Sequence, residues 1–264
     1  MSIIEVETLS RYFGALAAVK ALSLSIEAGE VFGLLGPNGA GKTTTIKMLT
    51  TLLKPSSGHA RIAGHDVVTE AAAVRRVIGY VPQMLSADGA LTGYENLLMF
   101  AKLYDLPRAD RPRRIEEAIR LMGLQEAMGK LVRTYSGGMI RRLEIAQSML
   151  HQPPVLFLDE PTIGLDPSAR RTMWDYIARL RGEHRMTILM TTHLMEEADA
   201  LCTRIAIMHL GQMVAQGTPA ELKASLKRDD ATLDDVFIHY TGDGMEGGTY
   251  REVSRTRRTA KRLG

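Results

Sequence analysis

Gly36-Pro37-Asn38-Gly39-Ala40-Gly41-Lys42-Thr43-Thr44 follows the apolar run Val31 to Leu35 and opens a segment, Thr43 to Leu53, with helical spacing. Strand, glycine-rich loop and helix in this order make a phosphate-binding loop. The glycines let backbone N–H groups crowd round phosphate oxygens at a positive helix N-terminus. Lys42 adds a point charge, and the Thr43 hydroxyl can ligate Mg²⁺. The reading predicts a site for the β- and γ-phosphates of a nucleotide.

The flanking sequence fixes the kind of sheet. Ile3 to Glu7 and Leu22, Leu24 and Ile26 alternate apolar with polar, as half-buried antiparallel strands do, and Ala28-Gly29-Glu30 turns into the strand before the loop. Strands are also predicted over His59 to Ala63 and Val77 to Val81, with a short helix over Thr69 to Arg76 between them. The periodicity becomes helical from Tyr94 to Leu106 and from Arg113 to Leu124, which marks a helical insertion. Pro153-Pro154 then launches the apolar strand Val155 to Leu158. Helix Ser168 to Arg181, strand Met186 to Met190, helix Met195 to Leu201 and strand Ile205 to Met208 repeat the βα pattern. A hairpin through Leu210-Gly211-Gln212 and a helix opened by Thr218-Pro219-Ala220-Glu221 close the clear elements. The expected fold is α/β: a P-loop NTPase core with a mostly parallel sheet, an antiparallel β flank and an inserted α-helical lobe.

Composition narrows the classes. The chain has 264 residues and a formal charge of +3, too small to indicate nucleic acid. Its single cysteine, Cys202, excludes a disulfide framework, fits a reducing compartment and reads as a small buried apolar residue. The apolar runs fall far short of the ~18 to 20 residues that cross a bilayer, and the N-terminus lacks the pattern of a secretory signal, so the protein is expected in the cytosol.

Two further motifs carry chemistry. Val155-Leu156-Phe157-Leu158-Asp159-Glu160 sets adjacent carboxylates at the C-terminal end of a buried strand, where α/β sheets present their ligand crevice. Asp159 suits Mg²⁺, and Glu160, pointing the other way, can orient or deprotonate an attacking water. Tyr135-Ser136-Gly137-Gly138-Met139 opens a second helix with hydroxyl and N–H donors suited to phosphate.

In this order the motifs resemble those of the nucleotide-binding subunits of ABC transporters, from Ile3 to Tyr240. The resemblance implies ATP and Mg²⁺ as ligands. It implies that Tyr12 stacks on adenine, that Gln83 is the Q-loop glutamine reaching metal and water, and that Ser136 to Gly138 is the signature. Asp159 and Glu160 become the Walker B pair, Asp166 of Gly164-Leu165-Asp166-Pro167 the D-loop aspartate, and His193 the switch histidine near the γ-phosphate. It further implies that the signature of one subunit closes over ATP held by the P-loop of a second copy. Met139 and Tyr135, where the general family most often has Gln and Leu, point to the branch with Tyr-Ser-Gly-Gly-Met. That branch, with Arg141 to Ala146, Pro161 to Pro167 and Leu233 to Gly242, is similar to daunorubicin-resistance exporter ATPases, whose permease is a separately encoded ABC-2 protein. The resemblance therefore implies export of a hydrophobic small molecule from the cytoplasmic face of the membrane, where the chain would sit peripherally.

The alternative reading is a soluble ABC ATPase remodelling a partner in translation or DNA repair, but such proteins carry tandem cassettes or long inserts that are missing here. No guanine-reading Asn-Lys-x-Asp follows the P-loop. The expected organisation is one ATPase domain over 1–240, with a helical subdomain over about 84–150, and a basic tail over 241–264. The tail reads as disordered, or as a weak contact with anionic lipid at about 1 kcal/mol per basic residue.

Overall fold

The computed structural model describes residues 2–242. Two sheets organise the chain. The first is antiparallel, in the order β2-β1-β4-β5, from Leu16–Glu27, Ser2–Phe13, Ser57–Ile62 and His65–Asp66. The second has the order β10-β9-β3-β8-β7-β6, from Gln212–Gly217, Arg204–His209, Val31–Leu35, Thr187–Thr192, Val155–Asp159 and Ile78–Val81. Within it β9, β3, β8, β7 and β6 run parallel, and β10 closes one edge as an antiparallel hairpin partner of β9.

The continuous apolar runs become central strands because both faces of this sheet are covered. Val31 and Leu35 of β3 and Leu156 and Leu158 of β7 face one core, and Phe32, Leu34, Val155 and Phe157 face the other. The second core is completed by the antiparallel sheet and by α1 (Lys42–Leu49). The first is covered by α3 (Gly93–Leu103), α4 (Arg111–Leu121), α5 (Gly137–Met149), α6 (Pro167–His184), α7 (Met195–Leu201) and α9 (Leu233–Thr241). The α2 segment Ala71–Val77 and α8, Pro219–Ala224, complete the helices described.

The inserted helices thus share one apolar core with the sheet, through Leu97, Ala101, Ile115 and Ala118. A capping box of Thr92 with Glu95 starts α3, and one of Thr218 with Glu221 starts α8. Cys202 is buried, and burial pushes its thiol well above the ordinary range, so it behaves as the small apolar residue expected.

Several boundaries differ from the sequence expectation. The helix after the P-loop stops at Leu49 rather than Leu53, because Thr51 adopts a left-handed backbone with φ 64°. The expected strand at His59 begins two residues earlier, at Ser57, and pairs with β1 across the antiparallel sheet. The expected tail from 241 begins too early: Thr241 is the buried last residue of α9. That helix was not legible as an element, although Thr232 and Asp235 form its capping box and Leu233, Val236 and Phe237 recur at helical spacing. The rest of the expected tail, from 243 onward, lies outside the described residues. No helix among the described residues is long and apolar enough to cross a membrane.

Candidate functional site

The loop from Gly36 to Gly41 runs between the end of β3 and α1. Two glycines are compulsory there. A Cβ at Gly36 would come within 2.5 Å of the Met208 carbonyl oxygen, and Gly41 has φ +104° with the Ala18 carbonyl 2.5 Å from where its Cβ would stand. The tightly curled loop borders a cleft of about 470 Å³ lined by Pro37 to Thr44, Gln83, Glu160, Phe13, Leu16 and Ala18. A volume of this size suits a mononucleotide.

Lys42 is buried at the first residue of α1, and its Nζ donates to the carbonyl oxygens of Gly36 at 2.8 Å and Pro37 at 3.2 Å. The same Nζ lies 3.3 Å from Glu160 Oε1. Burial pulls the Lys42 pKa below its ordinary value, opposed by the charges of Glu160 and Asp159. Glu160 leaves β7 in a left-handed backbone, φ 48°, and its N–H donates to Thr191 Oγ1 at 2.9 Å. Its Oε2 lies 3.2 Å from His193 Nδ1 and accepts from Gln83 Nε2 at 3.4 Å. Hydrogen bonding from His193, together with the charge of Lys42, holds the carboxyl below the usual carboxylate range. Glu160 is thereby kept ionised and aimed into the cleft, the condition for a general base.

Asp159 turns to the opposite side of the strand end. Its Oδ1 accepts from Thr43 Oγ1 at 3.1 Å and from Thr191 Oγ1 at 2.6 Å. Its Oδ2 is buried without a hydrogen-bond partner, an arrangement that costs free energy unless a cation shares the site. A carboxylate oxygen beside a threonine hydroxyl fits Mg²⁺. Among the described residues no group of three or more His, Cys, Asp or Glu is placed to hold a metal ion.

The structure brings Gly36 to Thr44, Gln83, Asp159, Glu160 and His193 together, and it corrects the aromatic residue. Tyr12 does not line the cleft; Phe13 does. The guanidinium carbon of Arg11 lies 4.6 Å from the Phe13 ring centre. Asp159 and His193 lie just behind the lining, joined to it through Thr43 and Glu160, whereas Ser136, Gly137, Gly138 and Asp166 lie outside it with no such link. Ser136 caps α5, accepting from Met139 N at 3.3 Å, and Asp166 caps α6, accepting from Ser168 N and Ala169 N, each at 2.9 Å. These two caps are neighbours. A Cβ at Gly138 would meet Ala169 Cβ at 3.2 Å, and one at Gly137 would lie 3.6 Å from Leu165.

Thr191 and Phe13 were missed by sequence reasoning. Thr191 and Thr192 interrupt an otherwise apolar strand immediately before His193, a polar signal at the sheet's ligand-binding edge.

A family model described as ABC transporter matches residues 19–163. The daunorubicin/doxorubicin resistance ATP-binding protein DrrA of Streptomyces peucetius is 48% identical over 223 residues, which cover 84% of this chain and 67% of that protein. A solved ATP-binding subunit of an ABC transporter superposes with a TM-score of 0.80 at 29% identity, covering 91% of this chain and 100% of that one. The ATP-binding cassette MJ0796, solved as a dimer in a post-hydrolysis state bound to ADP and Pi, gives a TM-score of 0.72 at 25% identity over 81% of this chain and 98% of that one.

Proposed function

This chain belongs to the ABC transporter family, among its daunorubicin-resistance ATPases, and from that membership we propose that it hydrolyses ATP as one half of a closing pair beneath a separate ABC-2 permease. The chain is an ATPase and the ATP-binding subunit of a transporter.

ATP would lie along the P-loop with its base toward Phe13, Leu16 and Ala18 and its phosphates on the amides of Gly39 to Thr44. Lys42 neutralises phosphate charge from the floor of the cleft. Asp159 and Thr43, with Gln83 on the facing loop, would hold Mg²⁺, which when bound offsets charge on the phosphate oxygens. Glu160 would accept the proton of the attacking water, and His193 would orient Glu160 through its 3.2 Å contact.

The observation that supports a paired site is the separation of the motifs. Ser136 to Gly138 and Asp166 lie side by side at two helix N-termini yet line no part of the P-loop cleft. Donors suited to phosphate but set away from their own cleft are suited to the cleft of a second copy. Helices α3 to α5, over about 84–150, would then act as a lobe carrying the signature toward the partner, within an ATPase domain spanning 1–240.

Export of a hydrophobic, drug-like compound is the reading that the family supports, with the chain peripheral at the cytoplasmic face of the membrane. Met84 and Leu85, both exposed directly after Gln83, offer an apolar surface from which a permease could sense the nucleotide. Mixing two inactive variants tests the pairing. Lys42→Ala and Ser136→Ala should each be inactive, and their mixture should regain part of the turnover, because a mixed dimer contains one intact site; no recovery at any ratio would overturn the shared site.

A further inference from the structure

Glu197 lies on α7, four residues beyond His193, and is 1% exposed. Its carboxylate gathers donors from two separate elements. Thr162 Oγ1, in the loop between β7 and α6, donates at 2.7 Å, and the indole Nε1 of Trp174 on α6 donates to the same oxygen at 3.2 Å. The hydroxyl of Thr192, at the end of β8, lies near enough to help pull its pKa down.

Thr192 leads from this cluster to the catalytic groups. Its Oγ1 accepts from Leu194 N at 3.0 Å, and its carbonyl accepts from Gly36 N at 3.3 Å. His193 therefore sits in a turn closed by the Leu194 N–H on the Thr192 side chain and anchored to the P-loop through the Thr192 carbonyl, immediately before the helix that carries Glu197. Thr162, on the other side, sits in the short segment from Pro161 to Asp166 that ends at the cap of α6.

Burying a carboxylate costs several kcal/mol, and well-packed apolar side chains of similar volume are often no worse for stability. Burial pushes the Glu197 pKa upward, while the hydroxyl and indole donors and the charge of Arg170 pull it down. Two donors from separate elements aimed at one oxygen of a buried acid specify geometry more than they add stability.

We propose that Glu197 is a positioning residue for hydrolysis, locking the Pro161–Asp166 segment and the His193 turn into one frame so that displacement at Asp166 moves His193 relative to Glu160. The proposal rests on the roles given above to Glu160 and His193. It adds a route by which the segment facing a second copy governs the hydrolytic groups in the first.

A double-mutant cycle on the full chain tests it, reading phosphate release, ATP affinity and thermal stability. Glu197→Gln and Thr162→Val should each lower kcat by about 10- to 100-fold, the scale of a misplacement near 1 Å, with KM within about twofold. Thr162→Ser should restore turnover. In a His193→Ala background neither change should lower kcat further, because both act through His193. Additive losses in that background, or wild-type turnover in Thr162→Val, would overturn the proposal while leaving the site reading intact. Wild-type turnover in His193→Ala itself would overturn the site reading and the proposal with it. If Glu197→Gln does not fold, Thr162→Val carries the same cycle.

Discussion

The ammonium of Lys42 lies 3.3 Å from the carboxylate of Glu160, with both groups buried, so the P-loop lysine and the candidate base are electrostatically joined. Glu160→Gln breaks the charge pair and leaves Lys42 to pair with phosphate alone. Turnover should fall by about 10²- to 10⁴-fold, the usual contribution of a general base. ATP affinity should be unchanged or tighter. Phosphate release and nucleotide titration on the same preparation check both halves, and near-normal turnover would refute the role of Glu160.

The depressed pKa of Glu160 gives a pH signature. A group whose pKa is lower folded than unfolded adds stability that is present above its ordinary value of 4.5 and is lost as pH falls through the folded pKa. Thermal melts from pH 7 to pH 3 should therefore show an acid-induced loss in the wild type that is smaller in Glu160→Gln. Parallel curves for the two proteins would contradict the pairing with His193 and Lys42.

Asp159→Asn should uncouple ATP binding from Mg²⁺. The unpartnered Oδ2 loses its charge, and the hydroxyls of Thr43 and Thr191 lose a charged acceptor. The gain in ATP affinity on adding Mg²⁺ should shrink by more than the 10–100-fold typical of losing a residue that only supports a ligand. Titrations with Mg²⁺ and with a chelator measure it, and an undiminished gain would exclude Asp159 as the anchor.

Phe13→Ala should weaken ATP binding by about 1–3 kcal/mol, the usual worth of one base stacked on an aromatic ring. Tyr12→Ala should leave affinity within about twofold, since its side chain does not line the cleft. The reverse result would restore Tyr12 as the stacking residue.

Much of the site was legible because its motifs are local. A glycine-rich loop between an apolar strand and a helix needs its residues at fixed spacing, and an acid at the end of a buried strand must face the ligand edge. Tyr12 and Phe13 could not be separated this way. Both are aromatic and adjacent, and β1 pairs with β2 through register irregularities, including one between Arg11 and Tyr12, so alternation counted along the sequence does not say which side faces the cleft. Helix α9 was hidden for another reason: its nine residues gain their stability from Leu233, Val236 and Phe237 packing into a core assembled by distant strands.

The sequence by itself determined the class of fold, the phosphate loop, the pair Asp159 and Glu160, and the family. These depend on residue type at short spacing, where backbone geometry leaves few choices. Only the tertiary structure decided that Lys42 pairs with Glu160 across 118 positions of chain, that Thr191 supports both acids, that Phe13 faces the cleft, and that Glu197 joins three elements. Such contacts form where β3, β7 and β8 are brought side by side, and the free energy that places them is the burial of both sheet faces rather than any local preference.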